Sequence, residues 1–280
     1  DPLSAAFTND VDVILNAMLN RSATRLVTVS QGGWAWIWDI AARRPEQAFR
    51  IDPIDPLIVP ALSPSGRFLV AMSDNSTLAL YDLDDVRTPP ATSVIGGGVY
   101  VLKFDPEDDA LLGVGSGVGV TRVSIPSLVE GITYPSSFGE VIDFAWSPDG
   151  SLLSIVEPNA SIRTIDMVTG IVPPPIPVNN IIDGSITSIA WHPNGTQLYA
   201  ASANNLSLID VPTRSVALQV DLDAPANEVS VSPLGTQVVV VHSNRAEPVQ
   251  IFDASSLTSI TGVGGSLGPK YAPSHGRFAG

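Results

Sequence analysis

The chain has 280 residues, a formal net charge of −14, and 44% apolar but only 15% charged residues, a composition too apolar for disorder and too acidic to favour phosphate-mediated binding of nucleic acid. It contains no cysteine, which excludes disulfides, thiolate catalysis and cysteine-ligated metal centres. No apolar stretch approaches the ~18 uncharged residues of a membrane span, and 24 prolines with 23 glycines predict many turns and few long helices.

The first predicted strands lie near the start of the chain. Residues 11–20 carry apolar side chains at helical spacing, but their register relative to later segments favours an inner strand over a helix. Residues 25–29 and 34–39 are apolar runs bounded by turn residues, which is typical of strands.

Three tryptophans alternate along residues 34–39. Because successive side chains of a strand point to opposite faces, Trp34, Trp36 and Trp38 share one face. We expect them to fill the space between neighbouring sheets, with Trp34 the most exposed. The alternative is a stacking surface for a sugar or a partner's aromatic side chain, and Trp34 is therefore a candidate partner-binding residue.

One motif then recurs: an apolar strand, a proline-containing turn, a second apolar strand, a polar turn and a third strand ending in aspartate. The turn prolines are Pro64, Pro106, Pro148, Pro193 and Pro233, and the closing aspartates are Asp39, Asp82, Asp166, Asp210 and Asp253, with Ser124 in the third repeat. Both sets recur every 40–45 residues. That period with four strands per repeat is the mark of a β-propeller.

The later strands follow this motif in chain order. Runs of four to seven mostly apolar residues between turns read as strands. The three best-defined repeats place them at 141–146, 152–156 and 162–166, at 186–191, 198–201 and 206–210, and at 228–231, 238–241 and 249–253.

The turns and the endings Trp38-Asp39, Tyr81-Asp82 and Phe252-Asp253 resemble repeats of the WD40-like and YVTN-type β-propeller families, over residues 11–262. This resemblance implies an all-β fold of four-stranded antiparallel blades and a role as a scaffold for protein complexes. Strict WD40 repeats carry Gly-His before the first strand, whereas this chain has Gly139-Glu140 and Gly184-Ser185 at such places.

We therefore expect one β-propeller domain over residues 1–280. The predicted blades are approximately 11–52, 53–96, 97–138, 139–182, 183–224 and 225–264, and residues 265–280 with 1–10 form an incomplete seventh blade shared by the termini. A ring of six blades with a loose tail is the alternative. Closure of either ring leaves only short sheet edges unprotected.

Polar residues on the predicted inner strands mark a candidate site at the propeller axis. Counting back from the turn proline places Asp143, Ser188 and Glu228 in equivalent positions, and Lys103 two residues nearer its turn. These residues predict a polar channel or partner-binding site, with a water-filled channel lacking a specific ligand as the alternative.

No catalytic constellation or cofactor motif is found. His192, His242 and His275 belong to different repeats and lack metal-ligand spacing, so we expect no metal and no cofactor. The favoured function is a non-enzymatic platform that presents loops to a protein or a surface glycan. A propeller enzyme of the lactonase or dehydrogenase kind, with an axial polar site, is one alternative, and a passive structural domain of a larger protein is another.

Five Asn-x-Ser/Thr sequons fall in predicted turns, where N-glycosylation acceptors lie. Their asparagines are Asn20, Asn75, Asn159, Asn194 and Asn205. With the rarity of lysine, they favour an extracellular or cell-surface glycoprotein, with a cytoplasmic scaffold as the alternative.

Overall fold

The structure is a computed structural model that describes residues 14–30, 32–51, 59–72, 77–96, 98–137, 139–158, 161–176, 178, 185–242 and 249–260. Over these residues the chain forms antiparallel β-sheets in chain order, one after another. The sheets are the blades of a β-propeller, and the strand interpretation of the first segment is confirmed.

Within the described residues there are six blades, and four of them have four regular strands. Blade 1 consists of β1 (Ile14–Leu19), β2 (Arg25–Ser30), β3 (Trp34–Asp39) and β4 (Arg44–Arg50). Blade 2 consists of β5 (Val59–Leu62), β6 (Phe68–Met72), β7 (Thr77–Asp82) and β8 (Ala91–Val94). Blade 3 consists of β9 (Val99–Asp105), β10 (Asp108–Ser116), β11 (Gly119–Ser124) and β12 (Val129–Pro135). Blade 5 consists of β16 (Ile186–Trp191), β17 (Gln197–Ser202), β18 (Asn205–Asp210) and β19 (Ser215–Asp221).

The other two blades have three regular strands and a short fourth segment. Blade 4 consists of β13 (Asp143–Trp146), β14 (Leu152–Val156) and β15 (Ile162–Asp166), and blade 6 of β20 (Ala226–Val231), β21 (Gln237–His242) and β22 (Val249–Asp253). Their fourth segments each pair through one isolated bridge, Ile162 with Ile176 and Phe252 with Ser259. The six described blades correspond to the alternative ring size, and the seventh blade predicted from residues 265–280 and 1–10 lies outside the described residues.

The hydrophobic core lies between the blades. Five apolar clusters occupy the described spaces between consecutive blades, from blades 1 and 2 to blades 5 and 6. Between blades 3 and 4, Phe144 and Trp146 pack edge to face. Phe144 fits there because a β-carbon on Gly113 would come within 2.8 Å of its ring. Gly113 and Gly115 of β10 lack a side chain at this point and so admit the aromatic ring of Phe144 from the next blade.

The recurring aspartate holds the turn between the third and fourth strands. Asp166, Asp210 and Asp253 each accept backbone N–H groups two or three residues further on, at 2.8–3.0 Å. Such Asx turns reverse the chain without help from tertiary contacts. Four residues after the closing position, five described blades place a residue at positive φ: Arg43, Leu128, Gly170, Arg214 and Leu257.

In three pairs of neighbouring blades, the turn between the first and second strands of one blade contacts the same turn of the next blade. In blades 2, 4 and 6 the residue before the turn proline is serine, and its hydroxyl accepts a backbone N–H of the same blade. In blades 1, 3 and 5 the equivalent residue is longer and reaches the turn glycine of the next blade: Asn20 contacts Gly66, Asp105 contacts Gly150, and His192 contacts Gly235. A β-carbon on any of these glycines would come within 2.9 Å of that side chain.

Candidate functional site

The predicted axial residues Lys103 and Asp143 form an ion pair between blades 3 and 4. Lys103 lies on β9 and Asp143 begins β13, and Lys103 Nζ is 2.6 Å from Asp143 Oδ1. The backbone N–H of Phe144 also donates to Oδ1, at 2.8 Å. Both side chains are largely buried, so the pair is shielded from the screening that weakens surface ion pairs.

The second carboxylate oxygen of Asp143 extends the network to blade 5. Asp143 Oδ2 accepts the hydroxyl of Ser188 at 3.1 Å and the backbone N–H of Ile189 at 3.0 Å. Ser188 Oγ in turn accepts the backbone N–H of Val229 in blade 6, at 3.4 Å. A single chain of polar contacts therefore joins the inner strands of blades 3, 4, 5 and 6.

The strand registers place three of the predicted residues in one equivalent position. Asp143 pairs with Val156, Ser188 with Ala201 and Glu228 with Val241, each near the end of the second strand of its blade. Glu228 is half-buried on β20. The structure thus brings Lys103, Asp143 and Ser188 together in one network.

Asn16 occupies the same position in blade 1, but counting back from the turn proline did not identify it. It pairs with Val29 after a bulge, as Ser188 pairs with Ala201, and it is buried. Blade 1 has Arg21 where the other blades have a turn proline, so the spacing from proline gave no landmark. Counting back five residues from Arg21 would have identified Asn16.

The Asp143 carboxylate is saturated by protein groups. A carboxylate has about four lone-pair sites, and Lys103, Ser188 and two backbone N–H groups occupy them. A group held in this way fastens neighbouring blades and has little capacity left for a ligand. Chemically, the arrangement supports a structural role for the axial polar residues.

The three tryptophans of β3 differ steeply in exposure along the strand. Trp38 is 4% exposed and its Nε1 donates to Thr28 Oγ1 at 3.0 Å, whereas Trp34 is 38% exposed. Trp36 stacks on Trp38 with ring centroids 6.1 Å apart. Trp34 lies opposite Arg50 of β4 in the sheet register.

A buried carboxylate that was not predicted from the sequence links the turn after β14 to the loop between blades 3 and 4. Glu157 is 1% exposed and lies 3.1 Å from the guanidinium of Arg163. It also accepts the backbone N–H of Ser137 at 2.7 Å and the hydroxyl of Ser161 at 3.0 Å. Nothing in the spacing of these residues marks the pair, because its partners come from a strand, a loop and the preceding blade.

The two described histidines serve as hydrogen-bonding links. The Nδ1 of His242 lies 2.9 Å from the carbonyl of Ala224, and its Nε2 lies 3.1 Å from Gln250 Oε1. His192 bridges two turns, and His275 lies outside the described residues. In the part of the chain that the structure describes, no group of three histidine, aspartate or glutamate side chains could hold a metal ion.

Burial raises the pKa of two further groups. Desolvation raises the pKa of the Asp105 carboxyl, and desolvation with the charge of Asp253 raises the pKa of Tyr199 to about 12. The Tyr199 hydroxyl donates to the carbonyl of Ala254 at 2.7 Å. Tyr199 is therefore a neutral hydrogen-bond donor in the core at physiological pH.

The sequon asparagines differ in accessibility. Asn20 is buried, with its amide donating to Ser22, Thr24 and Ser65. Asn20 lies at the turn after β1, whereas Asn205, also buried, begins β18 and donates to Asp221 at 2.8 Å. Asn194 is exposed, whereas Asn75 and Asn159 lie outside the described residues.

The described surface exposes aliphatic side chains on outer strands and turns. Val94, Val129 and Ile132 are each more than half exposed on β8 and β12, and Val118 and Leu234 are exposed in turns. Among the described residues, no helix has the length and apolar composition that crossing a membrane requires.

Comparison with known proteins agrees with this architecture. Residues 178–210 match the family model of the WD domain, G-beta repeat. The solved β-propeller domain of Cps50 (Swd1) from Myceliophteria thermophila has a TM-score of 0.74 and 17% sequence identity, with 88% of this chain and 85% of that chain covered. No curated protein matches the sequence. The resemblance expected from the turn and aspartate motifs is confirmed.

Proposed function

We propose that this chain, whose fold is that of a WD40-like β-propeller, is a non-enzymatic platform that binds a protein partner. The observation that carries the proposal is that polar and exposed apolar side chains of the described residues lie in different parts of the propeller. Polar groups at the axis are engaged in bonds between blades, as at Asp143, while aliphatic groups are exposed at the rim, as at Ile132.

The inner network favours a rigid body. Contacts from Lys103 through Asp143 and Ser188 cross from blade 3 to blade 6, and the apolar clusters bind consecutive blades. A rigid body loses little conformational entropy when it binds, so its surface contacts contribute more fully to affinity. This supports recognition through preformed turns and strand edges.

The outer strands offer the surface that a protein would cover. In β12, Val129 and Ile132 are exposed by 60% and 63%, and the strand is the outer edge of its sheet. An edge strand has backbone N–H and C=O groups available for pairing, and exposed apolar side chains beside it mark interaction sites. A partner strand or loop would bury both.

The experiment compares two variants of the chain purified from its native source. Size-exclusion chromatography with light scattering is expected to show a stoichiometric complex that the double substitution Val129→Glu, Ile132→Glu dissociates. The control is Leu234→Glu, which places a charge on an apolar turn residue of blade 6 that is even more exposed, at 84%, and should leave the complex intact. A chain that is monomeric and uncomplexed in its native source would contradict the proposal.

The enzymatic alternative, a lactonase-like or dehydrogenase-like site at the axis, has weaker support. Both oxygens of Asp143 are engaged by protein groups. Metal analysis and an absorbance scan of the purified protein test this alternative, since a stoichiometric metal or chromophore would favour the enzyme.

An extracellular or cell-surface location, with a surface glycan as a further ligand, remains a separate proposal from the sequons. Of the described sequon asparagines, the exposure of Asn194 supports it, whereas the burial of Asn20 and Asn205 does not. The intact mass of the native protein compared with its 29.3 kDa sequence mass tests for attached glycans.

A further inference from the structure

A cleft of about 280 Å³ lies at the outer rim where blade 1 meets blade 2. One wall is the end of β4, and the other is the loop that joins β7 to β8. The residues that line it include Phe49, Arg50, Tyr81, Arg87, Pro89 and Pro90.

Two arginines of the cleft have no acidic partner among the described residues. Arg50 and Arg87 are both exposed, and no ion pair in the described part of the chain includes either of them. In contrast, acidic side chains pair with Arg21, Arg25, Arg67 and Arg163. Two guanidiniums without such partners therefore lie at one cleft of a chain whose net charge is −14.

The acids that precede Arg87 in its own loop are engaged elsewhere. Asp82 binds Arg67 at 2.7 Å and Asp84 binds Arg25 at 3.1 Å. Asp85 accepts the hydroxyl of Thr88 at 2.7 Å. The loop thus satisfies its carboxylates locally and leaves the guanidinium of Arg87 available to a ligand.

The cleft also has a preformed apolar wall. The rings of Phe49 and Tyr81 lie 5.4 Å apart across the two blades, and both are held in the core between them. Pro89 and Pro90 supply further apolar surface from a backbone with restricted φ. Clefts that combine an apolar wall with a few charged groups are suited to oriented binding.

We propose that this cleft binds an acidic segment of the protein partner, with carboxylates on Arg50 and Arg87 and an apolar side chain against the wall. The inference rests on the proposed function and adds the chemistry that the platform recognises. Arginine suits this role because its planar guanidinium binds a carboxylate through two parallel hydrogen bonds. The negative charge of the rest of the chain disfavours nucleic acid, whose backbone would meet that charge over a longer track.

The test measures binding of a short fluorescein-labelled peptide of alternating glutamate and leucine by fluorescence anisotropy. The double substitution Arg50→Glu, Arg87→Glu is expected to weaken binding by about tenfold or more. The matched control is Arg43→Glu, Arg44→Glu, which makes the same charge change at the other end of β4, roughly 20 Å away, and should alter binding by less than about twofold. If the charge-reversed cleft variant does not fold, Arg50→Gln with Arg87→Gln replaces it.

Several results would overturn the inference. The inference fails if the glutamate peptide does not bind, or if a peptide with glutamine in place of glutamate binds equally well. It also fails if the cleft and control variants weaken binding equally, or if a single-stranded oligonucleotide binds the cleft more tightly than the peptide does. The effect of the cleft substitutions on the native complex distinguishes failure of this inference from failure of the proposed function. If the complex survives the cleft substitutions, the platform stands and the cleft assignment fails; if no complex exists, the platform itself fails.

Discussion

The imidazole of His192 in blade 5 donates from Nε2 to the carbonyl oxygen of Gly235 in blade 6, across 3.0 Å. Its Nδ1 accepts the backbone N–H of Asn194 at 3.0 Å, and since a carbonyl can only accept, the tautomer with the proton on Nε2 satisfies both contacts. The ring is thereby held against the turn glycine of the next blade.

This contact predicts different costs for two glycine substitutions. Gly195 and Gly235 both have positive φ, at 71° and 67°, so alanine at either loses about 1–2 kcal/mol from backbone strain. Only at Gly235 would the new β-carbon meet a side chain, 2.4 Å from His192 Nε2, which adds about 1–3 kcal/mol of steric cost. Urea unfolding measures the difference, and equal losses for Gly235→Ala and Gly195→Ala would show that His192 moves away freely.

The ion pair between blades 3 and 4 predicts strong coupling. Lys103→Met leaves the buried Asp143 carboxylate without its cation and is expected to reduce the free energy of unfolding by about 3 kcal/mol. Adding Asp143→Asn removes the uncompensated charge, so the double variant should be more stable than Lys103→Met alone. A double-mutant cycle in denaturant measures the coupling energy, and additive effects would mean that solvent screens the pair.

The residue at positive φ four positions after the closing residue in five blades predicts a stabilising substitution. Arg43 has φ of 52° and is exposed, so Arg43→Gly relieves backbone strain and should raise the free energy of unfolding by about 0.5 kcal/mol. The neighbouring Arg44→Gly is the control, because glycine in the strand β4 should lower it by about 0.5–1 kcal/mol. Thermal unfolding of the two variants compares them, and a loss of stability at both positions would refute the strain argument.

The closing aspartates predict a loss of stability in acid. Hydrogen bonds from Thr213 lower the pKa of Asp210 below its ordinary 3.8, and those from Ser255 and Ser256 do the same for Asp253. Because the folded-state pKa lies below the unfolded value, these groups stabilise the fold above the unfolded pKa, and the contribution disappears as pH falls through the folded pKa. Asp210→Asn should therefore lose stability at neutral pH and approach the parent chain once the pH falls below the folded-state pKa of Asp210.

Asp105 is expected to affect the pH dependence of stability in the opposite direction, and it serves as an internal comparison. Burial raises its pKa, so its ionised form destabilises the fold at neutral pH and protonation relieves that cost as pH falls through the folded value. Asp105→Asn should raise the free energy of unfolding at pH 7 and change it less in acid. A pH series of urea unfolding curves distinguishes the two aspartates, and the same pH dependence in both variants would contradict this account.

The blades could be predicted because their boundaries depend on local chemistry. Asp210 forms its turn with residues three positions away, and the turn proline restricts its own φ, so both landmarks appear in the sequence with the period of the fold. The equivalence of Asp143, Ser188 and Glu228 was predictable for the same reason, since register within one blade follows from its turns. The hydrogen bond between Ser188 and Asp143 across two blades was not predictable.

What the sequence by itself determined is the succession of antiparallel blades, since turn chemistry and apolar alternation act over a few residues. Only the tertiary structure decided that Lys103 meets Asp143, that Glu157 meets Arg163 in the core, that Asn20 is buried, and that Arg50 and Arg87 line one cleft. These contacts join groups from different strands or blades, whose distances depend on how the sheets pack. Packing is set by many side chains together, and no single spacing along the chain records it.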